Sequence, residues 1–247
     1  MASSSETGHV KNVTNFESLI TSAIAFGETY NPTRESIKLP ALKALMGTAK
    51  TSLNALNIAQ SNYSIAVAAR EFAFLPFGTL ITRVKNAIKA TDTSTQIDES
   101  VETIVRKLQG RRAGSKITDE QKAALAAEGK ESTQISVAQL SYDSKLENFD
   151  KLIMLLSSVP EYTPNELELN VDSLKAHYTE LQSKNSDVLT ASIQLSNARI
   201  ARNNILYKPK TGLVDTAVDA KVYIKSVYGA SSPQYRQISK LSFAVRS

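Results

Sequence analysis

Apolar residues recur every seven positions along two long stretches of the chain. In the first, Leu42, Ala49, Leu56 and Tyr63 keep this spacing, and Met46, Leu53 and Val67 fill much of the row between. In the second, the series is Leu174, Leu181, Val188 and Leu195; its second row is more polar, with Asn185 and Ser192, and Leu189, Ile193 and Ile200 are expected to widen the stripe on another side. Steps of three and four residues return to one face of a helix. Gly and Pro are missing from most of 48–75 and 165–208, which favours long helices. Asn31-Pro32-Thr33 and Thr163-Pro164-Asn165 stand at the starts of the long helices, where a proline costs little in a first turn. Pro40 places the regular part of the first helix near residue 40, after an extended 34–39. Pro76-Phe77-Gly78 and Lys208-Pro209-Lys210-Thr211-Gly212 end the two long helices. Shorter helices are predicted over 79–91 and 213–228, weaker ones over 97–109 and 234–241, and preceding ones near 12–27 and 133–158. No alternating strand pattern persists, so the predicted fold class is all-α.

The two stretches belong to a duplication. Asn15-Phe16-Glu17-Ser18-Leu19-Ile20 reappears as Asn148-Phe149-Asp150-Lys151-Leu152-Ile153. Tyr30, Pro32, Leu42-Lys43-Ala44 and Ser64-x-Ala66-x-x-Ala69-Arg70 reappear 132 positions later, with 10 identities in the 41 positions of 30–70. The blocks keep their order and nearly constant spacing, which chance identity does not require. The chain is therefore expected to form two related helical bundles built around long antiparallel helices, over 1–108 and 133–247. Residues 109–132, rich in charge and bounded by glycines, are read as a linker holding a short helix that starts at Thr118 and stops at Gly129.

Composition narrows the chemistry. The 247 residues include no cysteine and two histidines, His9 and His177, so thiolate and multi-histidine metal sites are excluded and no cofactor is expected. The N-terminal MASSSETGHVKN lacks the basic and apolar regions of a signal peptide. No unbroken apolar run approaches the ~20 residues of a bilayer span. These features lead to the expectation of a soluble protein in the cytoplasm. No phosphate-binding, zinc-protease or nucleophile-elbow motif is present, so no catalytic residue is assigned and the reading is non-enzymatic. His9 falls in a polar N-terminal stretch, and His177 stands where the first copy has Leu45, which favours packing over general-base chemistry.

The net charge of +5 hides a polarity: residues 117–198 carry 6 basic and 13 acidic side chains, and 199–247 carry 9 and 2. A basic tail beside an acidic middle can fold back on its own chain, steer association with another copy, or attract a polyanion. The densest basic cluster is Arg106, Lys107, Arg111, Arg112 and Lys116. It is a candidate polyanion contact, but no aromatic interleaves with it to stack a base, and a solvated linker is the favoured reading. Arg70 and Arg202 are the repeated polar residues; they are read as structural, serving the last carbonyls of the long helices or a repeated ion pair. Phe72, Phe74, Leu75 and Phe77 concentrate apolar surface at one corner and are either a buried corner or an apolar partner contact, with burial favoured.

The blocks NFESLI and NFDKLI, the stretch ITDEQKAALAAEGKE and the closing run from YKPKTGLVD to ISKLSF resemble an uncharacterised family of duplicated helical proteins from Bacteroidota. The resemblance implies a bacterial, cytoplasmic setting and brings no activity or site residue with it. The expected function is a helical scaffold or self-associating structural protein, whose partner is itself as a homo-oligomer or filament. The alternative is a nucleic-acid-associated protein using 106–116 and 199–247, and a weaker one is membrane-surface binding through 72–81.

Overall fold

The computed structural model describes residues 4–111 and 141–245, and all regular structure among them is helical. The helices are α1 (Ser4–Ala25), α2 (Leu39–Phe74), α3 (Phe77–Lys89), α4 (Thr95–Gln109), α5 (Tyr142–Ser157), α6 (Val171–Tyr207), α7 (Leu213–Tyr228) and α8 (Pro233–Ser239). Short 3-10 turns at Glu35–Ile37 and Leu167–Leu169 precede the two long helices. Pro40 is accommodated in the first turn of α2, where no intrahelical partner is lost. Serine side chains cap α4, α5 and α8: Ser94, Ser141 and Ser232 accept from the backbone N–H of Ile97, Ser144 and Tyr235. At its other end α4 stops on Gly110 at φ 66°, and the Arg111 N–H donates to the Arg106 carbonyl at 2.9 Å. The short helix expected at 118–129 lies outside the described residues.

Contacts divide the chain into two compact units, residues 1–64 with 190–247 and residues 65–189. This division crosses the halves 1–108 and 133–247, which were expected to be separate bundles. The core of the first unit joins Phe16, Leu19 and Ala23 of α1 and Leu42 and Ala49 of α2 to Leu213, Ala217, Ala220 and Ile224 of α7. A satellite cluster of Leu56, Ala59 and Leu195 extends it along the long helices. The core of the second unit joins Phe77, Ile81, Val84 and Ile88 of α3 and Val105 of α4 to Phe149, Leu152 and Leu156 of α5 and Leu174 and Leu181 of α6. Each core thus takes one wall from each half of the sequence. The reason lies in the amphipathic pattern: α3 and α4 bury their stripes on the N-terminal helix of the other half, and α7 buries its stripe on α1. Burying one such Leu or Phe contributes about 1.5–3 kcal/mol, so a half deprived of the other leaves a row of these contributions unmade.

Matched positions take matched places. Phe16 and Phe149, Leu19 and Leu152, and Leu42 and Leu174 are all fully buried. Along α3 and α7 the offset becomes 136, pairing Ile81 with Ala217, Val84 with Ala220 and Ile88 with Ile224, all buried. The seven-residue seams are buried at Leu42, Ala49 and Leu56 and at Leu174, Leu181, Val188 and Leu195. Leu189, Ile193 and Ile200, expected to widen the stripe, are instead exposed. Ile193 and Ile200 each precede a seam position by two residues, a turn of about 200° that carries them to the opposite face.

One tyrosine in each unit pins the approach to a long helix. The Tyr30 hydroxyl donates to the Ile37 carbonyl at 2.7 Å, and the Tyr162 hydroxyl donates to the Leu169 carbonyl at 2.8 Å. Burial first, then the neighbouring Tyr223 for Tyr30 and Glu166 for Tyr162, pushes both phenols up to about 12. Below pH about 10 both are neutral in the folded and unfolded chain. Between about 10 and 12 the unfolded chain releases these protons and the folded chain retains them, so stability falls as pH rises through that window. Tyr30→Phe and Tyr162→Phe are each expected to cost about 1 kcal/mol at neutral pH and to reduce the alkaline loss, as read by urea unfolding across pH. Cutting the chain within 112–140 should leave two fragments that copurify as a helical complex, and each fragment alone should lose most of its far-UV helical signal.

Candidate functional site

The second unit holds a cavity of about 600 Å³ lined by Pro76, Thr79, Leu80, Arg83, Leu167, Glu168, Ser173 and His177. The residues come from three places. Pro76, Thr79, Leu80 and Arg83 recur at three- and four-residue steps on α3; Leu167 and Glu168 stand on the 3-10 turn; Ser173 and His177 lie one turn apart on α6. Arg83 donates from Nη2 to Glu168 Oε1 at 2.7 Å. The bond holds the Glu168 carboxyl below its usual range and the guanidinium above its own. Both side chains are solvated, so the pair closes one side of the cavity without contributing much stability.

His177 is half-buried, and its Nδ1 lies 3.6 Å from Glu180 Oε2. Its ring meets Phe149 edge-on at 6.2 Å, and its Nε2 is buried with no hydrogen-bond partner. Ser173, His177 and Glu180 stand in the order of a hydroxyl–imidazole–carboxylate relay, but with Nε2 unbonded no proton path joins the serine to the imidazole. No group of three or more His, Asp or Glu among the described residues is placed to hold a metal ion. In this arrangement the cavity can accept an apolar body and offers hydroxyl and charged groups at its wall.

The cavity is lined by positions at which the two halves differ. At the positions 132 residues earlier, Ser173 corresponds to Ala41, His177 to Leu45 and Glu168 to Ser36, and at the offset of 136 Arg83 corresponds to Asp219. His177 was read from sequence as packing. Its ring does pack, on Phe149, but its place on the cavity wall depended on the approach of α3 to α6, which periodicity along one helix does not give.

The segment 72–77 divides. Phe74 and Phe77 are buried, Phe74 edge-on to Tyr142 at 4.8 Å and Phe77 edge-on to Phe149 at 5.1 Å. Phe72 and Leu75 are 78% and 77% exposed, so the favoured burial of the whole corner is corrected for these two. Phe74 and Phe77 are three residues apart and face the core together across the α2–α3 turn, whereas Phe72 and Leu75 fall on the outer side. A second correction concerns apolar length. Over Leu39–Lys89 the helical stretch reaches a hydropathy of 1.4, long and apolar enough by length and composition to cross a membrane, with 17% of that window buried. Counting unbroken apolar runs missed it because polar residues such as Asn54, Asn57 and Gln60 are interspersed.

Arg70 lies over the Tyr142 ring at 3.9 Å and donates to Asn185 Oδ1 at 3.0 Å; Asn185 in turn donates to Asp143 Oδ1 at 2.6 Å. Arg202 is buried and donates twice to Asn203 Oδ1. The two matched arginines therefore have different neighbours. Arg106 and Lys107 are half-buried on the last turn of α4, Arg111 is exposed beyond its cap, and Arg112 and Lys116 lie outside the described residues. His9, placed by sequence in a polar stretch, is buried on α1 and bonded to the Tyr207 hydroxyl, because α1 starts at Ser4 and brings it into the first unit. No family model matches the chain, and no curated protein or solved structure matches it.

Since position 177 is Leu45 in the other half, His177→Leu is expected to remove an unsatisfied buried nitrogen and raise stability by about 1 kcal/mol. Urea denaturation at neutral pH checks this; a destabilisation would mean that the imidazole is held by a partner in solution.

Proposed function

We propose that the protein is a non-enzymatic, self-associating helical scaffold descended from a duplicated segment, and that a second copy of itself covers the outer faces of its long helices. The observation that carries this reading is an exposed apolar series on a helix surface without charge. Ile58, Ile65 and Phe72 are spaced by seven residues and exposed. Each stands two positions beyond Leu56, Tyr63 and Arg70, about 200° round the helix from the seam. Residues 51–69 hold no charged side chain, nor do 188–198 on α6, where Leu189 and Ile193 are exposed. A solvated helix face ordinarily carries charge; its depletion beside apolar residues marks the centre of an interface, and heptad spacing suits another helix.

Charge favours a second copy as the occupant. Residues 1–64 and 190–247 together carry 14 basic and 6 acidic side chains, and residues 65–189 carry 15 and 18. Lys208, Lys210, Lys225, Arg236 and Lys240 of the first unit are exposed, as are Glu71, Glu99, Glu161 and Asp187 of the second. None of them forms an ion pair among the described residues. The basic unit of one copy facing the acidic unit of the next would steer head-to-tail association.

Light scattering on sized fractions, at low and high salt, tests the proposal. Association should grow with concentration and weaken with salt, and Ile65→Glu with Phe72→Glu should weaken it by about tenfold or more while leaving the far-UV spectrum unchanged. A strict monomer at high concentration overturns it. The exposed, unpaired cations of the first unit also support a second reading, contact with nucleic acid, which gel shifts across a salt series separate from the first. Exposed Phe72 and Leu75 support a third, contact with a membrane surface, which liposome flotation decides.

A further inference from the structure

Two ion pairs stand at the approaches to the two long helices with their signs exchanged, matched at one member and two residues apart at the other. In the first unit Arg34, at the approach to α2, binds Asp219 on α7 at 2.6 Å. In the second unit Glu168, at the approach to α6, binds Arg83 on α3 at 2.7 Å. Asp219 is the counterpart of Arg83 at the offset of 136, and Glu166 is the counterpart of Arg34 at the offset of 132. Glu166 adds its charge to the field at Arg83. Both members of the N-terminal half are therefore cations, Arg34 and Arg83, and the members of the C-terminal half are anions, Glu166, Glu168 and Asp219.

We propose that this exchange of sign is a pairing code: the docking surface of residues 1–108 fits the surface of residues 133–247, in its own chain or in a second copy, and rejects another 1–108. The reasoning follows from the matched cores. Phe16 and Phe149, Leu42 and Leu174, and Ile88 and Ile224 are the same residue in matched buried places, whereas Ile81 is matched by Ala217 and Val84 by Ala220, so apolar packing tells the halves apart only in part. Charge does tell them apart. Two N-terminal halves docked in the same manner would set Arg34 against Arg83, and Ser36 would replace Glu168 beside it. Two C-terminal halves would set Asp219 against Glu166 and Glu168. Both wrong pairings meet like charges, and the right one meets opposite charges twice. Repulsion against the wrong partner is how closely similar surfaces acquire specificity. In the self-association proposed above, this code would confine any exchange of halves between copies to unlike halves; the code itself stands without that reading.

The test uses the full-length chain. Arg34→Glu with Arg83→Glu makes every member of the code acidic, and Glu168→Arg with Asp219→Arg places cations opposite Arg34 and Arg83. All four changes together restore opposite charges with the signs reversed. At low salt each double variant should lower the ratio of folded to unfolded chain by about tenfold, as two exposed pairs turned repulsive would, and the fourfold variant should recover most of that ratio. Arg34→Gln with Arg83→Gln should fall between the wild type and the acidic variant, and high salt should draw all of these chains together. These side chains are exposed, so the variants retain their cores and the recovery is measurable by urea unfolding. A fourfold variant no more stable than the double variants, or differences that persist at high salt, would overturn the proposal.

Discussion

The structure depends on one constraint: neither core is closed by one half of the sequence alone. The stripe of α7 closes on α1, and the stripes of α3 and α4 close on α5, so each core takes a wall from the other half of the chain. The long helices α2 and α6 belong to both compact units, with the boundaries falling at Ser64–Ile65 and Leu189–Thr190. These helices are 36 and 37 residues long, and most of their stability comes from the seam contacts along them rather than from propensity. Loss of one half therefore removes partners from both cores.

Positions matched between the two halves differ more often than they agree, and a few of the differences bear on the cavity. The hydroxyl-to-carbonyl bond of Tyr30 recurs at Tyr162, and the buried phenylalanines Phe16 and Phe149 have stayed alike. Several of the differing positions stand around α3 and the approach to α6. There Leu45 gives way to His177, Ala41 to Ser173 and Asp219 to Arg83, and the wall of the cavity is polar as a result. A core position tolerates little change in shape without cost, whereas a position at the rim of a cavity loses little when its polarity changes.

The outer faces of the long helices follow a different logic. A helix packed on one side needs one apolar stripe; α2 carries a second, through Ile58, Ile65 and Phe72, with no charge to keep it hydrated between Lys50 and Arg70. Among the described residues nothing covers that stripe. Exposed apolar side chains at helical spacing are a solubility cost unless something covers them, which is the physical ground for looking to assembly.

The sequence by itself determined the helical class, the start of the first long helix and the ends of both, and the seam from Leu42 to Leu56 and from Leu174 to Leu195, because these follow from periodicity, proline and glycine within a few turns of one helix; the second long helix, expected from Thr163-Pro164, begins only at Val171 after a 3-10 turn. It placed the shorter helices to within a few residues for the same reason. It paired Tyr30 with Tyr162 as matching letters without revealing that each donates to a carbonyl seven residues on. Only the tertiary structure decided which wall each stripe closes on, that Phe74 turns inward while Phe72 turns out, and that Arg83, Glu168 and His177 meet at one cavity. Those outcomes depend on which helices approach one another across long separations, and two halves with nearly the same apolar pattern leave that choice open until packing and charge make it.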